Sequence, residues 1–222
     1  KTRVGWWKNG YPEYFAKVLN SPSWIGINVK INGEQLDLFT CKKVENFQRE
    51  LNMKEGWYMR SFIATMPNDI EVEVKATRFL SLVKDELGVI NYEVTPLNEN
   101  VEVQFSPYLD SGITNEDTNW EDQFWETLKV EAVNNRGFIT SKTLKTEFHV
   151  CTFMHTELLL NNEKQNVDFS TEKEAQKVTF TYNFSVNKGE KVTLKKLGGY
   201  VKGMNHPNGN LIEATQDLLN EV

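Results

Sequence analysis

The feature that most constrains this chain is a period-two alternation of apolar and polar residues, repeated in short segments along almost its whole length. Ile70, Val72, Val74 and Ala76 alternate with Glu71, Glu73, Lys75 and Thr77. Successive side chains of a strand point to opposite faces, so this pattern predicts a strand with one wet face. Val178, Phe180, Tyr182, Phe184 and Val186 hold one parity over a second such segment. Ile25, Ile27, Val29 and Ile31 do the same and run into Asn32-Gly33. That dipeptide suits a type I′ turn, whose two central residues both need positive φ. A hairpin is therefore predicted, with residues 24–31 as one arm and 35–41 as the other.

Further strands are predicted over 47–53, 57–66, 89–94, 101–105, 130–134, 137–141 and 145–160, with a last one over 191–197 ahead of Gly198-Gly199. Turn clusters such as Pro67-Asn68-Asp69 and Asn98-Glu99-Asn100 separate them. About a dozen strands spaced by roughly 8–12 residues indicate a large antiparallel sandwich or barrel. No segment reads as a βαβ unit, which argues against a parallel sheet.

Two stretches break the rhythm. Residues 110–128 are acidic and aromatic, with room for one short helix over 120–127. Residues 209–222 carry Leu211, Ile212, Thr215, Leu218, Leu219 and Val222 at helical spacing, with Asn208 or Asn210 available as N-cap. The cluster His206-Pro207-Asn208-Gly209 marks a boundary. We therefore expect a β-sandwich domain over 1–208 and the start of a separate helix over 209–222, whose packing partner the sequence does not show.

A chain of 222 residues can bury roughly 70% of its unfolded surface, enough for a core without staples. The net charge of −6, with both signs interspersed, lacks the basic stripe that nucleic acid requires. No apolar run approaches the length of about 18 residues that reads as a membrane span. Residues 1–10 lack the apolar centre of a secretion signal. A cytoplasmic protein is expected, or a periplasmic one whose leader has been removed. Cys41 and Cys151 sit among apolar neighbours and read as buried, inert thiols, with a disulfide as the alternative.

The search for chemistry returns fragments. Asp110, Glu116, Asp117, Glu121, Asp122 and Glu126 are interleaved with Trp120, Phe124 and Trp125. Paired carboxylates beside ring faces are the equipment of glycoside cleavage, and oxygen-rich loops can hold Ca²⁺. No calcium-loop pattern is present, so no metal is assigned. A solvated loop anchored by its aromatics accounts for the composition. Beyond that, Asp110, Glu116, Asp117, Trp120, Glu121, Phe124 and Trp125 form a candidate contact surface for another domain. His149, His155 and His206 have no nucleophile or acid in recognisable register with them and read as structural. Gly198, Gly199 and Gly203 near Lys195, Lys196 and Lys202 lack the strand–loop–helix context of a phosphate cradle. Trp6, Trp7 and Trp24 pack as an aromatic cluster or, less simply, offer a sugar-stacking platform. No catalytic residue and no substrate-binding residue are assigned.

One resemblance organises these fragments. Val4 to Phe15 (VGWWKNGYPEYF), Leu19-Asn20 and Trp24 to Ile27 resemble the amino-terminal domain of glycoside hydrolase family 65. So do Leu51 to Gly56 (LNMKEG), Arg78 to Val83 (RFLSLV) and Tyr92 to Asn98 (YEVTPLN). Pro107 to Asp110, Asn115 to Asp117 and Phe124-Trp125 complete a collinear series. The likeness is dense over residues 2–130, looser beyond, and strongest toward the maltose phosphorylase branch over the trehalose and kojibiose branches.

The resemblance implies a β super-sandwich of the galactose mutarotase type, joined by helical linkers to an (α/α)6 catalytic barrel. It implies inverting phosphorolysis of an α-linked glucose disaccharide, maltose-like, with inorganic phosphate as co-substrate and no other cofactor. Some members hydrolyse instead. The general acid is a Glu of the barrel, so no catalytic residue transfers to this chain. The domain would support its own barrel and contribute to a homodimer, and the helix from 209 would begin the linker. Family members carry further strands ahead of the stretch that starts here at Lys1, so an open sheet edge is expected. A stand-alone carbohydrate-binding module is the alternative from a different class.

Overall fold

The computed structural model describes residues 18–115 and 123–222 in full, and the backbone of 6–8 and 11–14. Strands β1 (Trp6–Lys8) and β2 (Tyr11–Tyr14) pair with each other. Next come β3 (Ile27–Ile31), β4 (Glu34–Gln35), β5 (Lys43–Asn52), β6 (Trp57–Thr65) and β7 (Glu71–Leu80). They are followed by β8 (Leu87–Pro96), β9 (Val101–Asp110), β10 (Trp125–Val133) and β11 (Arg136–Thr143). The series ends with β12 (His149–Leu160), β13 (Glu163–Gln165), β14 (Phe169–Lys173), β15 (Lys177–Val186) and β16 (Val192–Lys202). After one 3-10 turn at Asn208–Asn210, helix α1 (Leu211–Asn220) follows.

Two antiparallel sheets face each other. The larger has nine strands in the order β10-β11-β12-β16-β8-β7-β6-β5, with β13 added to β12. The smaller has five, in the order β14-β15-β9-β3-β4. The alternating residues of the sequence supply the core between them. Val103 and Phe105 of β9 and Val178 and Phe180 of β15 come from the small sheet. They meet Val74, Val94, Met154 and Leu194 of the large one. Tyr182 of β15 ties the layers together, its hydroxyl 2.6 Å from the Thr156 hydroxyl of β12. Burial pushes the Tyr182 phenol up to about 12, so this link stays neutral.

The Asn32-Gly33 turn has the expected geometry, with φ of 49° and 83°. Its return arm is shorter than expected, only Glu34–Gln35, because Asp37 then closes a local turn through Phe39 N–H and Thr40. The last strand is longer than expected and runs through Gly198-Gly199. Gly88 of β8 and Gly198 of β16 are cross-strand partners. A Cβ on either would come within 2.7 or 2.5 Å of the Trp24 ring, so the pair forms a floor on which that indole lies. Glycine is used here for close approach and does not end the strand.

Helix α1 does have a partner. Leu211 and Leu219 pack on the outer face of the large sheet against Leu87, Val89, Phe138, Cys151, Phe153, Leu197 and Val201. Arg136 of β11 reaches the helix C-terminus, donating to Asn220 Oδ1 at 2.9 Å and to the Leu219 carbonyl at 3.3 Å. That places a cation where the helix dipole is negative. Strands β8, β11, β12 and β16 are therefore covered on both faces, and β12 shows an unbroken buried run from Val150 to Met154.

Candidate functional site

The residues singled out in the sequence are placed as follows. Trp125 begins strand β10, paired with Thr143, so the helix expected over 120–127 does not extend through 125–127. Its indole is only 7% exposed and donates to the Asn20 carbonyl at 2.9 Å. Phe124 is half-buried, and its carbonyl accepts from Leu144 N–H. The Asp110 carboxylate accepts the Gly112 N–H at 2.8 Å, a local turn contact. Glu116, Asp117, Trp120, Glu121 and Asp122 lie outside the described residues. Trp24 is 6% exposed and closed on its glycine floor, so it offers no ring face to a sugar. The side chains of Trp6 and Trp7 lie outside the described residues.

The histidines stand apart from one another. His149 Nδ1 lies 2.9 Å from the Glu147 carbonyl and His206 Nε2 lies 3.1 Å from Glu86. His155 sits 3.6 Å from Glu157, which also meets Lys164 at 2.5 Å and Lys195 at 3.7 Å. Burial pushes the His155 imidazole down, with Glu157 opposing. This is a charge network across β12, β13 and β16, with no nucleophile beside a base. Among the described residues no group of three or more potential ligands could hold a metal ion. Cys151 is buried and free, its thiol pushed up to about 12 by desolvation, which keeps it unreactive. Cys41 is free and only partly buried.

Lys196, beside glycines that lack the context of a phosphate cradle, faces inward and is not available to an anion at the surface. It is fully buried between the sheets, and its Nζ donates to the Gly26 carbonyl at 2.8 Å and to that of Tyr108 at 2.9 Å. Desolvation holds its amine well below the ordinary lysine range. It pins the start of β3 and the end of β9 to β16.

The concave region that sequence reasoning missed lies on the inner face of β6, β7 and β8, beside residues 25–27. A cleft of about 190 Å³ is lined there by Tyr58, Arg60, Arg78 and Tyr92 over Ile27 and Ile90. The Arg78 guanidinium lies 4.7 Å from the Tyr58 ring centre, and that of Arg60 lies 5.7 Å from the Phe62 ring. On the neighbouring strand Arg49 lies 5.0 Å from the Phe47 ring, directly opposite Arg60 in the register. A parity count would have found them, because Arg60 and Arg78 share the inward parity of Phe62 and Val74.

The architecture defines an antiparallel two-sheet β-sandwich with a helix packed on the outside of its larger sheet. The sequence matches the glycosyl hydrolase family 65 N-terminal domain over residues 1–222, and the chain belongs to that family. It is 35% identical over 222 residues to the maltose phosphorylase of Bacillus subtilis (strain 168), covering all of this chain and 28% of that protein. It is 27% identical over 218 residues to the α,α-trehalose phosphorylase of Thermoanaerobacter brockii, covering 91% of this chain and again 28% of the relative. Among solved structures, one assigned as a kojibiose phosphorylase from the human microbiome shares the fold, with a TM-score of 0.74 and 22% identity. That match covers 90% of this chain and 24% of the other. The chain thus spans little more than a quarter of the length of these relatives. Among the described residues no helix is long and apolar enough to cross a membrane.

Proposed function

We propose that this chain is the non-catalytic N-terminal domain of a longer inverting phosphorylase that cleaves an α-linked glucose disaccharide, maltose-like, with inorganic phosphate. The observation that carries this reading is the whole-chain similarity to a maltose phosphorylase more than three times as long. In the parent enzyme a phosphate oxygen attacks the anomeric carbon while an acid outside this chain protonates the departing sugar oxygen. The domain supports that catalytic barrel, and helix α1 begins the connection to it. We further assign it a part in a homodimer.

The test is sugar release by the intact parent protein with maltose, with and without inorganic phosphate. Phosphate-dependent formation of glucose 1-phosphate is expected, together with no turnover by residues 1–222 alone. Cleavage that proceeds equally well without phosphate would identify the parent as a hydrolase. Turnover by the 222-residue chain itself would overturn the non-catalytic assignment.

A further inference from the structure

The two ends of α1 are attached to the large sheet in different ways. At its start Leu211 and Thr215 are fully buried, and the Thr215 hydroxyl donates to the Leu211 carbonyl at 2.7 Å. Its last turn keeps Leu219 buried but also depends on a side chain from the sheet. Arg136 of β11 reaches across to Asn220 Oδ1 and to the Leu219 carbonyl. Beyond it, Glu221 pairs with Lys84 of the β7–β8 connection.

The residue directly opposite Arg136 in the register is His155 of β12. The pair stands next to the opposed Phe138 and Phe153, at the rim of the apolar cluster that α1 covers. Like charges at directly opposed positions destabilise a sheet, and a guanidinium is always charged. The protonation state of His155 therefore decides whether that repulsion is present. The His155 side chain is only 17% exposed, and its Nδ1 is buried with no hydrogen-bond partner among the described residues. A proton at Nδ1 would be a buried donor without an acceptor, which is costly. Nε2 lies 3.6 Å from Glu157, which Lys164 of β13 and Lys195 of β16 already hold at 2.5 and 3.7 Å. Burial and the charges of Arg136 and Lys164 disfavour the imidazolium, and Glu157 favours it, with burial the largest of these influences.

We propose that Arg136 and His155 form an acid-sensitive clasp on α1: neutral His155 leaves Arg136 docked on the helix end, and protonation of His155 displaces Arg136 and frees the last turn. With the turn docked, an imidazolium would face the guanidinium across the strands and leave its Nδ1–H unsatisfied. With the turn open, Arg136 swings to solvent and the repulsion is relieved. The proton thus binds the open form better, and by linkage acid shifts the population toward it. The window runs from the ordinary histidine value of about 6.5 down to the lowered value of the docked form. Within it opening increases as pH falls, and below it the dependence is flat.

The test is hydrogen exchange, read by mass spectrometry on the intact parent, in the peptide that carries the last turn of α1. After correction for the intrinsic rate, exchange is expected to be about threefold to tenfold faster at pH of about 5.5 than at about 7.5. His155→Gln should abolish that acceleration and hold the rate near the neutral-pH level of the wild type. Arg136→Gln should raise exchange at both pH values and flatten the difference between them. No acceleration in the wild type would overturn the proposal. So would an acceleration that survives in His155→Gln, which would assign it to His206, the histidine that meets Glu86 ahead of the helix. A second measurement needs no variant at position 155: the pH dependence of exchange at the His155 ring C–H reports its titration in the wild type. The midpoint is expected below about 6.5 and should rise in Arg136→Gln, whereas a midpoint at or above 6.5 that ignores Arg136 would contradict the clasp.

Discussion

The two halves of the large sheet have the same alternating pattern and opposite fates. Strands β8, β11, β12 and β16 are sealed twice, by the small sheet inside and by α1 outside. Strands β6 and β7 still bury Phe62, Ala64, Val72 and Val74 in the core, whereas the edge strand β5 is exposed from Lys43 to Leu51. Alternation by itself specifies which side chains share a face. It does not specify whether anything lies on that face. The sealed half carries apolar residues, glycines and one buried amine on its inner side, whereas the inner side of β5, β6 and β7 passes from buried Phe62, Ala64, Val72 and Val74 to Arg49, Arg60 and Arg78. The difference teaches that alternation places side chains on a face, and that packing by a second layer decides whether that face is dry.

The sharpest way to break this comparison is to truncate one phenylalanine in each half. Phe153 is fully buried under α1, and Phe153→Ala should cost about 3–5 kcal/mol of unfolding free energy in urea titration. Phe47→Ala on the bare strand should cost about 1 kcal/mol or less. Equal losses would show that β5 is packed as tightly as the sealed strands. Next in size is Gly198→Ala, which sets a methyl against the Trp24 indole and should cost about 1–3 kcal/mol, with a shift in tryptophan emission. An unshifted spectrum and midpoint would mean that Trp24 does not rest on that floor.

The buried amine sharpens the contrast through pH. Lys196 has a folded value pushed below its ordinary unfolded value of about 10.4. In the window between the two the unfolded chain binds the extra proton, so stability rises with pH there, by at most about 1.4 kcal/mol per unit. Below the folded value both states are protonated and this contribution is flat. Lys196→Met should remove the rise while leaving the rest of the pH profile intact. Identical profiles for the two proteins would contradict a desolvated amine at this site. The smallest effect expected is at the helix end, where Arg136→Gln should cost about 0.5–1 kcal/mol and speed amide exchange in the last turn of α1.

Much of this was legible in the residues. The strand periods, the Asn32-Gly33 turn and the terminal helix follow from local pattern, and the collinear motifs carried the family. The misses were tertiary. Local acidity and aromaticity suggested a helix through Trp125, but burial of its indole and pairing with Thr143 make it a strand. Gly198-Gly199 looked like a stop, whereas the glycine serves a ring supplied from residue 24. Helix α1 had no visible partner because its contact surface, Phe138, Cys151, Phe153 and Val201, is assembled from three strands far apart in sequence. The arginine face went unread for the same reason. Each arginine is ordinary in its own segment, and only register brings Arg49 opposite Arg60 and Arg78 beside Tyr58.

The central strands of the large sheet are sealed on both faces by this chain, and its edge strand β5 is not. Residue-resolved hydrogen exchange of residues 1–222 tests it most directly. The account predicts that the most slowly exchanging amides cluster in β8, β11, β12 and β16, with β5 and β6 exchanging at least a hundredfold faster. Equal protection across all strands of the large sheet would contradict it.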